Sequence, residues 1–200
     1  MISIEEKNRI EKEFLEKYPN DILTAWDNSH YDVPRIINEN GYKTAVEIGV
    51  AYGGHSEMIL LNTKIEKLYG VDPYKNYSEY DGDCQNFEQR KQDDVHEMVS
   101  SRLSYYGGRF ELLRDYSDNV LDKFKDESLD IVYIDGNHFE EFIKRDVSNW
   151  WKKVRVGGVL SGHDYDHPSF PVTSIVNDFF MNLNLDVINL GNHNWCVYKK

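Results

Sequence analysis

Cysteine, positive charge and long apolar runs are all scarce in this chain of 200 residues. The two cysteines, Cys84 and Cys196, are too few and too far apart for a disulfide framework or a zinc site, so we expect free thiols. No apolar run is long enough to span a bilayer, and residues 1–16 alternate charged and apolar side chains, unlike a signal peptide. These absences favour a cytoplasmic protein without a membrane partner.

Basic residues are outnumbered by acidic ones. Lys and Arg total 23 against 35 Asp and Glu, which gives a formal net charge of −12. A surplus of negative charge repels a phosphate backbone at long range, so we do not expect nucleic acid as a partner. The length and the 40% hydrophobic content suit one hydrophobic core, so we predict a single domain over residues 1–200. Neither quantity decides whether the protein forms a homo-oligomer.

Apolar spacing predicts two helices within residues 1–42, the second ended by Gly41, and a cofactor-binding core over residues 43–200. In the core, short β-branched runs alternate with helical patterns, and the last two runs are joined through Gly191 and Asn192. The pattern predicts an α/β, doubly wound, Rossmann-like fold with a mostly parallel seven-stranded sheet and a C-terminal antiparallel hairpin. The predicted strands are 44–49, 68–72, 110–113, 129–134, 157–161, 185–190 and 195–198, and the predicted core helices are 54–61, 90–104, 118–124, 139–154 and 172–182.

Residues 73–106 interrupt this alternation as an excursion from the core. Between Tyr74 and Phe87, aromatic side chains stand among acids and amides. Aromatic faces pack against sugar rings and planar molecules alike, so we interpret this segment as a candidate lid over an acceptor site.

The turn after the first strand contains Glu47, Gly49, Tyr52 and Gly53. Ligands of doubly wound sheets bind at such turns, where glycine lets the backbone approach them closely. A dinucleotide-binding turn needs glycine where Ala51 stands, and a carboxylate at position 47 disfavours a pyrophosphate. S-adenosylmethionine is cationic and has no phosphate, so it suits this turn better than NAD does. The alternative is a tight turn that binds nothing.

The second and third strands also end in polar residues. Asp72 follows Gly49 by 23 residues and stands where an acid accepts hydrogen bonds from ribose hydroxyls, although a turn cap before Pro73 is the alternative. Tyr116 and Ser117 follow the third strand and could flank an adenine, although a polar turn with a helix N-cap explains them nearly as well.

Two acids and two histidines follow the fourth and fifth strands. Adjacent parallel strands bring Asp135 and His138 beside His163 and Asp164, so all four can converge on one small volume. Such a cluster can bind a divalent cation, take a proton or do both, and a purely structural hydrogen-bonded cluster is the alternative. The other histidines, His55 among them, are expected at the surface.

Several of these motifs together resemble one family. The resemblance covers residues 40–200 and is to class I methyltransferases of the family 24 type, which are related to macrocin-type sugar O-methyltransferases and distantly to catechol O-methyltransferase. It is carried by Glu47-Ile-Gly49, Asp72, residues 135–138, Trp150-Trp151, Gly157-Gly158 and residues 163–165.

The resemblance implies S-adenosylmethionine as the cofactor. Glu47, Gly49 and Gly53 would hold its methionine part and Asp72 its ribose, and we place Tyr52, Tyr116, Ser117 and Asp135 in the same site.

The resemblance also implies a metal site and a general base. Asp135 would be a metal ligand and His138 the base that acts with it. The strand-five pair of the family supplies two acidic or amide ligands, and this sequence departs by having His163 before Asp164. Our predicted ligands for Mg²⁺ or Mn²⁺ are therefore Asp135, His163 and Asp164.

The predicted function is S-adenosylmethionine-dependent O-methylation of a small polar acceptor, a sugar or glycan, by metal-assisted general-base catalysis. A nicotinamide-dependent oxidoreductase and a non-catalytic Rossmann-like binding domain are the alternatives.

Overall fold

The computed structural model describes residues 1–23, 31–77 and 88–200. Its sheet has seven strands in the order β3-β2-β1-β4-β5-β7-β6. The strands are β1 (Thr44–Ile48), β2 (Lys67–Val71), β3 (Phe110–Leu113), β4 (Leu129–Ile134), β5 (Val154–Gly162), β6 (Ile188–Gly191) and β7 (Asn194–Tyr198). The helices are α1 (Ile4–Lys17), α2 (Asp32–Asn40), α3 (Gly54–Asn62), α4 (Gln89–Leu103), α5 (Glu140–Lys153) and α6 (Val172–Met181).

The topology confirms the predicted fold class. Strands β1 to β5 pair in parallel, and β7 pairs antiparallel with both β5 and β6. The chain leaves β1 toward β2 on one side and returns to pair β4 on the other, so the strand order reverses at β1. Ligands of doubly wound sheets bind beyond the strand ends at this point.

Most predicted elements are present with shifted ends. Helix α2 ends at Gly41, whose left-handed φ of 64° closes it as predicted. The helix predicted over residues 118–124 is wrong, because that segment forms turns and a three-residue 3-10 helix, Leu121–Lys123. Strand β6 begins later than predicted, since Leu185 and Val187 pack against the core without joining the ladder.

The sheet has a hydrophobic core on each face. All six residues of β4 are buried, as expected of a central parallel strand covered by helices on both faces. One core surrounds Trp150 of α5 and Phe180 of α6, and the other surrounds Ile37 of α2 and Ile59 of α3. The buried Cys196 lies in the second core, and burial raises the pKa of its thiol to about 11. None of the helices in the described ranges is long and apolar enough to cross a membrane.

A buried ionic network joins the N-terminal helix to the turn after β1. Arg102 of α4 is fully buried and donates a 2.7 Å hydrogen bond to the carbonyl oxygen of Tyr52. Its guanidinium also lies 3.3 Å from Glu57 of α3 and 3.4 Å from Glu11 of α1. Tyr106 donates a 2.8 Å hydrogen bond to Glu57. These contacts fix the backbone of the turn from α1, α3 and α4 together.

Candidate active site

One cavity opens at the carboxyl ends of the central strands. It is lined by the turn after β1, by residues that follow β2, β3 and β4, and by one face of α5. Tyr74 and Tyr77 of the predicted lid line its wall, and Tyr74 is buried with its hydroxyl donating to the carbonyl oxygen of Ala51 at 3.0 Å. The rest of that lid, residues 78–87 with Cys84, lies outside the described residues.

Gly49 lets two turns of the cavity floor approach each other. Its φ is +87°, and a Cβ atom there would lie 1.9 Å from the backbone carbonyl oxygen of Asp135. The Asp135 N–H donates a 2.8 Å hydrogen bond to the carbonyl oxygen of Ile48. The glycine is thus required by the neighbouring turn of the protein itself, in addition to any ligand contact.

Glu47 is buried at the end of β1 and lines the cavity. One carboxylate oxygen lies 2.8 Å from Nδ1 of His55, and the other accepts a hydrogen bond from the Ser56 hydroxyl. His55 is 2% exposed, and its ring packs 4.4 Å from that of Tyr133, so the expectation that it lies at the surface is wrong. The first turn of α3 therefore holds the Glu47 carboxylate in place.

Asp72 organises the turn after β1 as well as the end of β2. One of its carboxylate oxygens accepts hydrogen bonds from the N–H groups of Val50 at 3.0 Å and Ala51 at 2.9 Å. The other accepts the Tyr74 N–H at 2.8 Å, which is the turn-cap contact expected from the alternative interpretation. Burial raises the pKa of Asp72, and the three backbone hydrogen bonds, which lower this pKa, do not fully offset the effect of burial. The carboxylate lines the cavity, and its contact with ribose stays a prediction.

Tyr52 and Gly53 stand where the turn enters α3. The hydroxyl of Tyr52 donates a 2.8 Å hydrogen bond to Asp21, which follows α1, and the residue lines the cavity. Gly53 has a φ of +74°, and a Cβ atom there would lie 3.1 Å from a guanidinium nitrogen of Arg102. Both residues therefore shape the turn, and their contact with a cofactor stays a prediction.

A buried carboxyl that the sequence did not reveal closes the other end of the cavity. Asp146 of α5 is 3% exposed, lines the cavity and accepts a 2.5 Å hydrogen bond from the hydroxyl of Ser117. Burial and, to a smaller extent, nearby Asp118 raise its pKa to about 6, because together they outweigh the Ser117 hydrogen bond and Arg145, which lower it. The sequence does contain a signal for this burial. The buried face of α5 has helical spacing, and Asp146 is the acid on it, beside Ile143, Val147 and Trp150.

The four residues expected to converge do so. Nε2 of His138 lies 2.5 Å from a carboxylate oxygen of Asp164 and 3.6 Å from one of Asp135. Nδ1 of His163 lies 3.5 Å from Asp164 and 3.9 Å from Asp135. This arrangement follows from pairing of β4 with β5, in which Ile134 stands opposite Gly162.

The two carboxylates determine the charge of the two histidines. Burial lowers the pKa of His138, but hydrogen bonds with Asp135 and Asp164 outweigh it and raise this pKa to about 10. The pKa of His163 is also raised, by Asp164 and Asp135 against burial. The pKa of Asp164 is lowered, because its bonds with both histidines outweigh its burial. Without a bound cation, His138 is an imidazolium at neutral pH.

The same cluster contains a set of atoms suited to a cation. One ligand atom each from Asp135, His138 and Asp164 lie within 4.8 Å of one another. Two of these residues, Asp135 and Asp164, are ligands predicted from the sequence, whereas the third predicted ligand, His163, lies beside this group. Carboxylate oxygens suit Mg²⁺ and Mn²⁺, and the imidazole nitrogen favours Mn²⁺ of the two.

A doubly wound, mostly parallel seven-stranded sheet that ends in an antiparallel pair is the Rossmann-like fold of class I methyltransferases. The model of the family described as a methyltransferase domain, Methyltransf_24, matches residues 46–165, more than half of the chain. The chain therefore belongs to this family of methyltransferase domains, which confirms the resemblance seen in the sequence.

Solved structures share the fold at low sequence identity. The O-methyltransferase TomG from Streptomyces achromogenes, in complex with SAM, is 14% identical with a TM-score of 0.64, and the match covers 100% of this chain and 92% of that one. An O-methyltransferase from Bacillus cereus, in complex with SAH, is 11% identical with a TM-score of 0.64, covering 100% and 93%. The O-methyltransferase NovP is 18% identical with a TM-score of 0.61, covering 86% and 78%.

Two curated relatives carry no functional description. An uncharacterised protein of Acanthamoeba polyphaga mimivirus is 28% identical over 127 residues, which are 61% of this chain and 51% of that protein. An uncharacterised protein of Sinorhizobium fredii is 31% identical over 72 residues, which are 36% of this chain and 8% of that protein. The chain therefore matches about half, or less, of the length of these relatives.

Proposed function

We propose that this chain transfers the methyl group of S-adenosylmethionine to a hydroxyl of a small polar acceptor, with a sugar or glycan as the acceptor class. The observation that carries the proposal is the position of Asp135. It lines the cofactor cavity and also belongs to the cluster with His138 and Asp164. An acceptor hydroxyl held at this cluster would face the cavity in which the methyl donor binds.

The cavity residues fit the cofactor. S-adenosylmethionine, when bound, supplies an electrophilic methyl group on a sulfonium and carries no phosphate. Glu47 would provide negative charge for its cationic part, and the fixed partners His55 and Ser56 keep the carboxylate from rearranging. Asp72 would accept from ribose hydroxyls at the adjoining strand end. Holding donor and acceptor in line supplies much of the acceleration, because transfer from a sulfonium mainly needs alignment.

We assign His138 as the general base that takes the acceptor proton at Nε2. The carboxylates of Asp135 and Asp164 raise the pKa of His138 because they stabilise its protonated ring. His138 can act as a base only when this stabilisation is removed. A divalent cation, when bound by those carboxylates and His163, would neutralise them and increase the acidity of the acceptor hydroxyl. His138 would then be a neutral imidazole with an acceptor nitrogen beside the cavity.

The surroundings of His138 favour an acceptor with a flat face. Its ring stacks on Phe170 at 4.5 Å between centroids, and Phe170 stacks on His167 at 4.7 Å. Aromatic surfaces of this kind pack against the apolar face of a sugar ring. The O-methyltransferase neighbours support a hydroxyl as the methyl acceptor.

The test combines cofactor binding with a methyl-transfer screen. Calorimetry should detect S-adenosylhomocysteine and not NAD, and glycosides and catechols should be assayed with Mn²⁺, Mg²⁺ or a chelator. We expect transfer to a glycoside that needs the cation, and a loss of about 10²- to 10⁴-fold in turnover for His138→Ala with unchanged cofactor affinity.

His167→Ala is the matched control, because it removes a nearby imidazole that lies outside the carboxylate cluster. Methyl transfer by this variant should keep the pH dependence of the wild type. Equal rates with and without chelator would contradict the metal-assisted mechanism. Binding of NAD alone would favour an oxidoreductase, and binding of neither ligand would favour a non-catalytic domain.

A further inference from the structure

We infer that Asp146 recognises the amino group of the cofactor's adenine and makes the site selective for that base. This inference rests on the proposed function, because it concerns the nucleoside part of the same cofactor. It starts from a buried carboxyl of α5 that the methyl-transfer step does not use and that lines the cavity together with Ser117.

The cavity has two chemically different ends. At one end, Glu47 and the turn into α3 suit the cationic methionine part, and Asp72 beside them suits the ribose. The base must then lie beyond the ribose, on the side of β3 and α5. That side combines aromatic rings of Tyr77 and Tyr116, whose centroids are 6.5 Å apart, with the ring of Phe142. The two tyrosine rings contact each other edge to face, so a planar base would pack against them and not between them, and Asp146 supplies a buried polar group there.

The carboxyl is oriented by its neighbours. The Ser117 hydroxyl donates to Oδ1 of Asp146 at 2.5 Å. The other oxygen, Oδ2, faces Gly136, where an added Cβ atom would lie 3.7 Å from it. Gly136 also lines the cavity, so its missing side chain leaves room in front of Oδ2. The site therefore presents one acceptor oxygen, fixed in direction, toward the space assigned to the base.

The chemistry of that oxygen selects among purines. Adenine carries an amino group at C6, which donates a hydrogen bond to a carboxylate. Hypoxanthine carries a carbonyl oxygen at C6, which would face the carboxylate oxygen without a proton between them. A buried acceptor left without a donor disfavours the wrong base strongly. Asparagine at position 146 keeps the size of the side chain and can present either an acceptor or a donor.

The test compares the affinities of S-adenosylhomocysteine and S-inosylhomocysteine by calorimetry. Wild-type protein should prefer the adenine ligand by about 10- to 100-fold. Asp146→Asn should bind S-adenosylhomocysteine about 10-fold more weakly and reduce the preference to less than about 3-fold, because the amide can donate to the carbonyl of the inosine ligand. Ser117→Ala should reduce the preference less, because it only releases Oδ1.

Asp118→Asn is the matched control, because that carboxylate pairs with Arg145 at 2.6 Å next to the same end of the cavity. It should keep the wild-type preference. An unchanged preference in Asp146→Asn, with S-adenosylhomocysteine still bound, overturns the role of Asp146 and leaves the proposed function standing. If wild-type protein binds neither ligand, the proposed function itself fails, and this inference fails with it.

Discussion

Replacing Asp146 by asparagine should stabilise the folded protein at neutral pH. Burial raises the pKa of this carboxyl to about 6 from the ordinary value of 3.8. Above pH 6 the folded protein must hold a buried carboxylate, whereas the unfolded chain exposes it to water. The asparagine side chain has nearly the same shape and carries no charge, so the cost of burying the charge disappears.

The size and pH dependence of the effect follow from proton linkage. Between the unfolded pKa near 3.8 and the folded pKa near 6, only the folded state binds the proton, so stability of the wild type falls as pH rises. A difference of about two pKa units corresponds to about 3 kcal/mol. The gain from Asp146→Asn should therefore be small near pH 4, grow up to pH 6 and stay at no more than about 3 kcal/mol above it.

Urea denaturation at several pH values between 4 and 8 measures this difference. Asp122→Asn, an exposed carboxyl in the 3-10 turn after β3, should give no gain that rises over the same pH range. A gain for Asp146→Asn that does not vary with pH, or a loss of stability at pH 7.5, would refute the reasoning, because the carboxyl would then be stabilised as an anion.

Three further predictions concern the strand ends. Gly49→Ala should destabilise the fold by about 3 kcal/mol or more in urea denaturation, since its Cβ atom would meet the Asp135 carbonyl oxygen; equal stability would contradict this geometry. Glu47→Gln should weaken S-adenosylhomocysteine binding about 10-fold in calorimetry. An unchanged affinity would mean that the cationic part of the cofactor does not bind at Glu47. In metal-free protein, NMR should show His138 titrating near pH 10. The raised pKa stabilises the fold fully below the unfolded pKa near 6.5, and this stabilisation is lost as the pH rises to 10. Asp164→Asn should lower the pKa of His138, and an unshifted pKa in this variant would rule out the pairing.

Periodicity and topology were enough to predict the sheet and the meeting of the candidate-site residues that follow β4 and β5. Strand β4 is an apolar run, interrupted only by Asp130, between polar turns, and its bounds could be predicted to the residue. Once β4 and β5 are neighbours in parallel, the residues that follow them, Asp135 and Asp164 among them, must lie at the same edge of the sheet.

The contacts of single polar side chains could not be predicted in the same way. His55 and Asp146 both lie on helices, and their burial depends on which helix face meets the sheet and on what stands opposite. The partner of Asp146 is Ser117, which is 29 residues away in the chain. The length of a helix pattern is equally uncertain where apolar residues are few, as in residues 118–124, which form turns and a short 3-10 helix.

The distribution of charge around the cavity explains why a nucleoside sulfonium suits it better than a dinucleotide. Among the residues that the structure describes, four carboxyl groups line it, those of Glu47, Asp72, Asp135 and Asp146, and each already has hydrogen-bond or ionic partners in the protein. A pyrophosphate placed at the turn after β1 would face Glu47 and Asp72 in a partly buried space, where repulsion between like charges is weakly screened. A cationic cofactor has the opposite sign of interaction with the same groups. Under the proposed function, the selection of the cofactor class comes from acids placed on several strand ends and on α5, and we expect that a single substitution in the glycine turn would not convert the site to bind NAD.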